Sequence, residues 1–267
     1  RSTYLSSNTI IGKLVFVVLV VIVFVLLFQV GLFLIVWYNS PPKDPYLIKG
    51  MLDGRHEVTI KQDPANADSV QIFRSNNDQN GAAFTWSIWM YIEQFDANDG
   101  QFYHVFSKGN SSFTGEKGTA SVNNAPGLYL GKPGDGAGFA APPAPQIRDN
   151  HGITMRVKMD SVKLYDSKVY VDIPNMPLKK WVHVAIRLNN TILDVYVNGQ
   201  ISGRLILANI PKQNYSDVLV HHKGGFNGKT SDLRYYSRGL NIFQIQNIVN
   251  KGPDTSNSSL SDVLTNK

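Results

Sequence analysis

Residues 181–200 read WVHVAIRLNNTILDVYVNGQ, and the period of that stretch decides the fold. Val182, Val184, Ile186 and Leu188 alternate with Trp181, His183, Ala185 and Arg187, the two-residue repeat of a strand that buries one face. Leu193, Val195 and Val197 carry the apolar face past a break at Asn190-Thr191. A two-residue turn at that break sets Arg187 opposite Asp194, an expected cross-strand ion pair. Asn198-Gly199 then supplies a type I′ hairpin turn, because both residues accept positive φ. The segment predicts a three-strand antiparallel meander with one buried face.

The same β signal extends outward. Phe84–Ile92 (FTWSIWMYI) is rich in β-branched and aromatic residues, as a core strand should be. Shorter strands are expected at His104–Lys108, Ile153–Val157, Val169–Asp172 and Asp232–Tyr236. Gly109–Asn150, with eight Gly and five Pro, has no strand pattern and reads as a long loop with a functional or mobile role. Asn241 with Gln244 three residues later forms a capping-box pattern, opening a short helix through Val249 that Gly252-Pro253 ends.

Towards the N-terminus the pattern changes completely. Leu14–Tyr38 is an apolar run of 25 residues without a charge and with Gln29 as its one clearly polar member. As a helix it is about 37 Å long, enough to cross a hydrocarbon core of about 30 Å with some tilt. A cleaved signal has an apolar core of only about 7–15 residues, so the run is expected to be retained as a single-pass anchor. Leu14, Val20, Phe24, Phe28 and Leu32 face lipid in this reading, and Trp37 and Tyr38 sit at the headgroup level. Arg1 and Lys13 before the run and Lys43, Lys49 and Arg55 after it do not choose a sidedness. The opening Arg1 in place of Met points to residues missing or removed ahead of it. Ser40-Pro41-Pro42-Lys43-Asp44-Pro45 reads as a stiff, extended spacer.

Composition removes several classes of function. With 26 basic and 20 acidic residues the net charge is +6, and the excess is scattered, without the basic stripe of a nucleic-acid reader. With no cysteine, disulfide scaffolds, thiolate metal sites and cysteine nucleophiles are excluded. Asn110, Asn189, Asn214 and Asn257 begin N-x-S/T sequons and are candidate glycosylation sites.

Three ordered motifs carry a family resemblance. They are Phe84-Thr85-Trp86-Ser87-Ile88-Trp89; Trp181, His183, Val184 and Ala185 with Leu193, Val195, Tyr196, Val197, Asn198 and Gly199; and Gly228, Asp232, Leu233, Arg234, Tyr236, Arg238 and Leu240. Over residues 82–250 the chain resembles the laminin-G-like, concanavalin A-like lectin domains. The resemblance implies an all-β fold, a jelly-roll sandwich of two antiparallel sheets with binding loops at one edge, here preceded by one N-terminal transmembrane helix. The arrangement of anchor, proline spacer and sandwich is also similar to membrane-anchored minor capsid proteins of large DNA viruses with an internal membrane. The expected organisation is a flank at 1–13, the anchor at 14–38, a Pro-rich spacer with entry strands at 39–80, the sandwich at 81–252 and a flexible polar tail at 253–267.

Catalysis is not expected. Glycoside hydrolysis needs two carboxylates roughly 5–10 Å apart, and the three glutamates, Glu57, Glu93 and Glu116, form no such pair in sequence. Calcium wants six to eight oxygens; the loop residues Asp96, Asp99, Asp135 and Asp149 leave it a candidate without forming a dense acidic string, so no cofactor is expected. Among the six histidines, His183 is expected to be a packed sandwich residue, and His221-His222, read as strand, would point to opposite faces. A ligand or partner loop would draw on Asn123, Asn124, Tyr129, Asp135, Phe139 and Asn150, an aromatic platform with planar polar groups. The expected function is a structural tether between a membrane and an overlying protein layer, with a lipid bilayer and structural, capsid-type proteins as partners. The competing expectation is a membrane-anchored lectin with glycan partners.

Overall fold

The computed structural model describes residues 10–40, 42–73, 82–95, 101–132, 152–163 and 169–258. The chain divides into two compact units, Arg1–Pro42 and Lys43–Lys267. In the first, helix α1 (Ile10–Asn39) contains the whole apolar run. Its best 18-residue window has a mean hydropathy of 3.3, so it is long and apolar enough to cross a membrane, as an anchor or a signal sequence would be.

The second unit is a β-sandwich. Its strands are β1 (Met51–Asp53), β2 (Val58–Ile60), β3 (Ala83–Ile92), β4 (Phe102–Lys108), β5 (Gly127–Gly131), β6 (Ile153–Lys158), β7 (Tyr170–Met176), β8 (Trp181–Asn189), β9 (Ile192–Val197), β10 (Gln200–Ile206), β11 (Val218–Val220) and β12 (Gly228–Tyr236). One antiparallel sheet has the order β1-β12-β3-β8-β9-β10 and the other β2-β11-β4-β5-β6-β7. The all-β sandwich is the fold the motifs implied. Alternation builds the core: Phe84, Trp86, Ile88, Met90 and Ile92 of β3 meet Val105, Phe106, Leu128, Leu130, Met155 and Val157 from the facing sheet. Trp86 stacks on Phe106 with ring centroids 5.2 Å apart and meets Tyr235 edge-on at the same distance.

The meander forms as the sequence predicts. β8 and β9 pair with Arg187 opposite Asp194, and Asn198 (φ 49°) and Gly199 (φ 80°) turn β9 into β10. The expected ion pair forms at its outer limit and is shared with a second arginine. Asp194 takes a bidentate contact from Arg204 of β10 at 2.6 and 3.1 Å, while Arg187 stands off at 4.0 Å. A cross-strand neighbour on either side of β9 can reach the carboxylate, and Arg204 holds the better fork geometry. Helix α2 (Ile242–Lys251) begins with the expected capping box of Asn241 and Gln244. It covers the outer face of the first sheet, where Ile245 packs with Ala185, Tyr196, Tyr236 and Leu240.

Two other readings are corrected. His221 is not in a strand: β11 ends at Val220 and His221 has φ 54°, so the opposite-face argument for His221 and His222 does not hold. Residues 253–258, read as part of a flexible tail, run beside β1, with Met51 N–H donating to Ser256 at 2.7 Å and Ser258 N–H to Met51 at 2.9 Å.

Candidate functional site

The strand directions give the sandwich two ends. At one end β3 and β9 begin and β4, β6, β8, β10 and β12 finish; at the other lie the Asn198-Gly199 turn and the start of β12. The chain enters the domain at the first end, which we call the stem end.

The stem is built into β12 rather than hanging from it. Asp44 forms an ion pair with Arg238 and accepts the Ser237 N–H at 3.2 Å. Tyr235 N–H donates to Pro45 at 3.1 Å, and both Leu47 and Ile48 N–H donate to Leu233 at 2.8 and 3.1 Å. The Arg234 guanidinium lies over the rings of Tyr46 (4.3 Å) and Tyr236 (4.8 Å) and donates to the Tyr46 hydroxyl at 3.2 Å. Leu47 and Ile48 are fully buried in the main core. A β-bulge between Ser231 and Arg234 places Asp232 at φ 50°, and its carboxylate accepts from Gly50 N–H at 3.2 Å and Asp254 N–H at 3.3 Å. Burial raises the pKa of that carboxyl group.

Beside the stem, at the same end, a cavity of about 330 Å³ opens between the sheets. Phe84, Trp86 and Tyr235 wall it from one sheet and Lys108 and Ala125 from the other, with segments 62–73 and 213–215 at the rim. The rim is pinned by side chains. Gln62 donates to Val70 at 2.8 Å and accepts from Ile72 at 3.2 Å, and the Tyr235 hydroxyl donates to Phe73 at 2.8 Å. Lys108 Nζ donates to Ser216 at 2.6 Å, and burial pulls its pKa down to about 8 against the opposing charge of Asp217. Tyr215 is 79% exposed at the mouth. Asp63 is the one carboxylate among the described lining residues, so the two-carboxylate arrangement of glycoside hydrolysis is not assembled there. Among the described residues no group of three His, Asp or Glu side chains could hold a metal ion.

Of the ligand-loop residues named from the sequence, the three described ones, Asn123, Asn124 and Tyr129, do not form an exposed platform. Tyr129 and Asn124 are wholly buried, with the Tyr129 hydroxyl donating to the Asn124 side chain and accepting the Ala120 N–H at 3.1 Å. Burial raises the Tyr129 pKa. Asn123 is half-buried and donates to Asn110 at 2.9 Å. Asp135, Phe139 and Asn150 lie outside the described residues. Of the sequon residues, Asn257 is exposed, Asn110 and Asn189 are half-buried, and the Asn214 side-chain amide is committed to the carbonyls of Lys108 (3.2 Å) and Asn123 (3.3 Å). Sequence reasoning missed the cavity because segments far apart in the chain line it; the exposed Tyr215 in a polar stretch was the one local signal.

The model of the concanavalin A-like lectin/glucanases superfamily matches residues 64–246, more than half of the chain. The chain belongs to this superfamily. No curated protein sequence matches it. Among solved structures, the botulinum neurotoxin serotype D ligand-binding domain in complex with N-acetylneuraminic acid is similar at TM-score 0.47 and 11% identity, over 80% of this chain and 45% of that one. The botulinum neurotoxin serotype G binding domain gives TM-score 0.43 and 12% identity, over 74% and 45%. Trypanosoma rangeli sialidase gives TM-score 0.38 and 18% identity, over 62% and 22%. This chain therefore spans less than half the length of each of these structures. The stem at Asp44–Ile48 and strands β1 and β2 lie N-terminal to the matched region.

Proposed function

We propose that this protein is a non-catalytic, membrane-anchored module that ties a bilayer to a protein layer lying over it. The overlying layer is of the capsid type that its combination of anchor, spacer and sandwich resembles. The observation that carries the reading is the stem. A flexible display module would need only a loose linker, whereas here Asp44–Ile48 is hydrogen-bonded, ion-paired and packed onto β12, next to the centre of a six-stranded sheet. Force on the chain ahead of Asp44 is then delivered to a strand paired on both sides, by β1 and β3, and shared over many hydrogen bonds.

Amine cross-linking of the protein in its native membrane, read by mass spectrometry, tests this. Lys179 and Lys180, exposed at the far end, are expected to join to one abundant lattice-forming protein. Recovery of links within this chain alone contradicts the tether.

The rim of the cavity favours a second reading, a membrane-anchored lectin. Tyr215 and Phe73 offer aromatic faces beside the amides of Gln71 and Gln213, the combination that stacks on and hydrogen-bonds a sugar. A sugar-dependent rise in Tm that Tyr215→Ala abolishes is the expected sign of it, and no rise across neutral and acidic glycans contradicts it.

A further inference from the structure

We infer that the stem end of the sandwich is a lipid-contacting face that rests in the headgroup layer of the bilayer. The inference rests on the reading of Leu14–Tyr38 as a membrane anchor.

Exposed apolar side chains of the domain are distributed unevenly. Among the described residues, seven large ones are 49% exposed or more, and six of these, Val162, Ile206, Ile210, Tyr215, Ile242 and Phe243, lie at the stem end. Their places follow from the topology. Ile206 closes β10, and Val162 follows β6 and donates its N–H to Ile210 at 2.9 Å. Tyr215 precedes β11 at the cavity mouth. Ile242 and Phe243 form the first turn of α2, next to Leu240, whose N–H donates to Thr85 near the start of β3. Ile201, the seventh, opens β10 at the far end. Exposed apolar residues scattered singly need no explanation, but six gathered at one end call for a partner.

The occupant is identified by where the chain enters. The first docked residue is Asp44, at the stem end, and four residues, Ser40–Lys43, separate it from the last residue of α1, Asn39. At about 3.3–3.6 Å per residue, a linker this short reaches only some 15 Å, comparable to one headgroup layer. A domain held on so short a leash, with its apolar side chains on the leashed end, places those side chains at the lipid surface.

The chemistry suits an interface rather than the hydrocarbon core. Three ion pairs lie at this end, Asp44 with Arg238, Asp217 with Lys61 and Asp160 with Lys158, and offset part of its charge, so apolar burial contributes to the contact without anionic lipid. Tyr215 presents an amphipathic ring of the kind that settles at headgroup depth. The cavity opens at the same end, so protein partners of the tether meet the opposite end of the sandwich.

The absence of cysteine makes the test clean. Full-length single-cysteine variants Tyr215→Cys, Phe243→Cys, Ile201→Cys and Phe24→Cys are labelled with an environment-sensitive dye and reconstituted into neutral phosphatidylcholine vesicles carrying nitroxide lipids. The expected result is blue-shifted emission at 215 and 243, quenched more by a nitroxide near the headgroup than by one near the chain end. Position 24 is then quenched by the deep nitroxide, and position 201 by neither. Quenching at 24 with none at 215 and 243 overturns the lipid face while leaving the anchor standing. No quenching at 24 removes the anchor and this inference together.

Discussion

The two ends of the sandwich are held by different means. At the stem end, order comes from side chains that reach across the chain: Arg234 to Tyr46, Lys108 to Ser216, Asn214 to Asn123, Asp44 to Arg238. At the far end it comes from local turn chemistry, such as Asn198-Gly199, and from histidines kept neutral by burial. His183, whose N–H donates to Asn198 at 2.9 Å, accompanies His104 near the start of β4 and His221 just past β11. The difference teaches that the two ends are braced by different chemistry: charged groups and amides tie the stem end, whereas at the far end buried histidines bridge distant segments, His221 to the His56 carbonyl at 3.2 Å and His222 N–H to His104 at 3.1 Å.

That contrast is broken most strongly at Trp86, whose ring closes the cavity floor between Phe106 and Tyr235. Trp86→Ala is expected to cost about 3–5 kcal/mol in denaturant unfolding. A loss under about 1 kcal/mol would mean the stem end is not packed as described.

Acid should act on the far end first. Burial lowers the pKa of His183 and of His221 to about 4 and lowers that of His104 as well, so the folded state favours the neutral rings. The unfolded chain takes up these protons near pH 6.5, so folding stability is complete above that pH and falls as the pH drops from 6.5 towards 4. Hydrogen exchange over this window is expected to rise first around residues 102–106, 183–184 and 218–222. Equal loosening of residues 44–48 would erase the distinction between the ends.

A smaller effect is expected from Arg234→Ala, which removes the cover over two tyrosine rings and a bond to the stem. It should cost about 1–3 kcal/mol and raise exchange at residues 44–48 while leaving the Asn198-Gly199 turn unchanged. Gly199→Ala is the mildest. Gly199 sits at φ 80° and a methyl group there would press on the Gln246 side chain, for a loss of about 1 kcal/mol confined to the far end.

The same contrast explains what could be read in the sequence. The far-end turn and the meander were legible because period two and an Asn-Gly pair are local signals. The capping box of α2 was legible for the same reason. Strand β5 was hidden because it is five residues long, begins and ends with Gly and is buried on both faces, and β11 because three residues carry no period. The cavity and the docked stem were illegible in principle: Asp44 meets Arg238 across 194 positions of sequence. Tyr129 was misjudged as a platform because a tyrosine in a Gly-rich stretch looks exposed until its hydroxyl is seen bonded to Asn124 inside the sheet.

The most direct test of the central claim is electron cryo-microscopy of the protein in its native membrane assembly. The account predicts the apolar helix in the bilayer, the Asp44–Arg238 end of the sandwich against the headgroups and the Asn198-Gly199 end joined to a regular protein layer. A sandwich standing free in solvent, or lying with its far end towards the lipid, would contradict it.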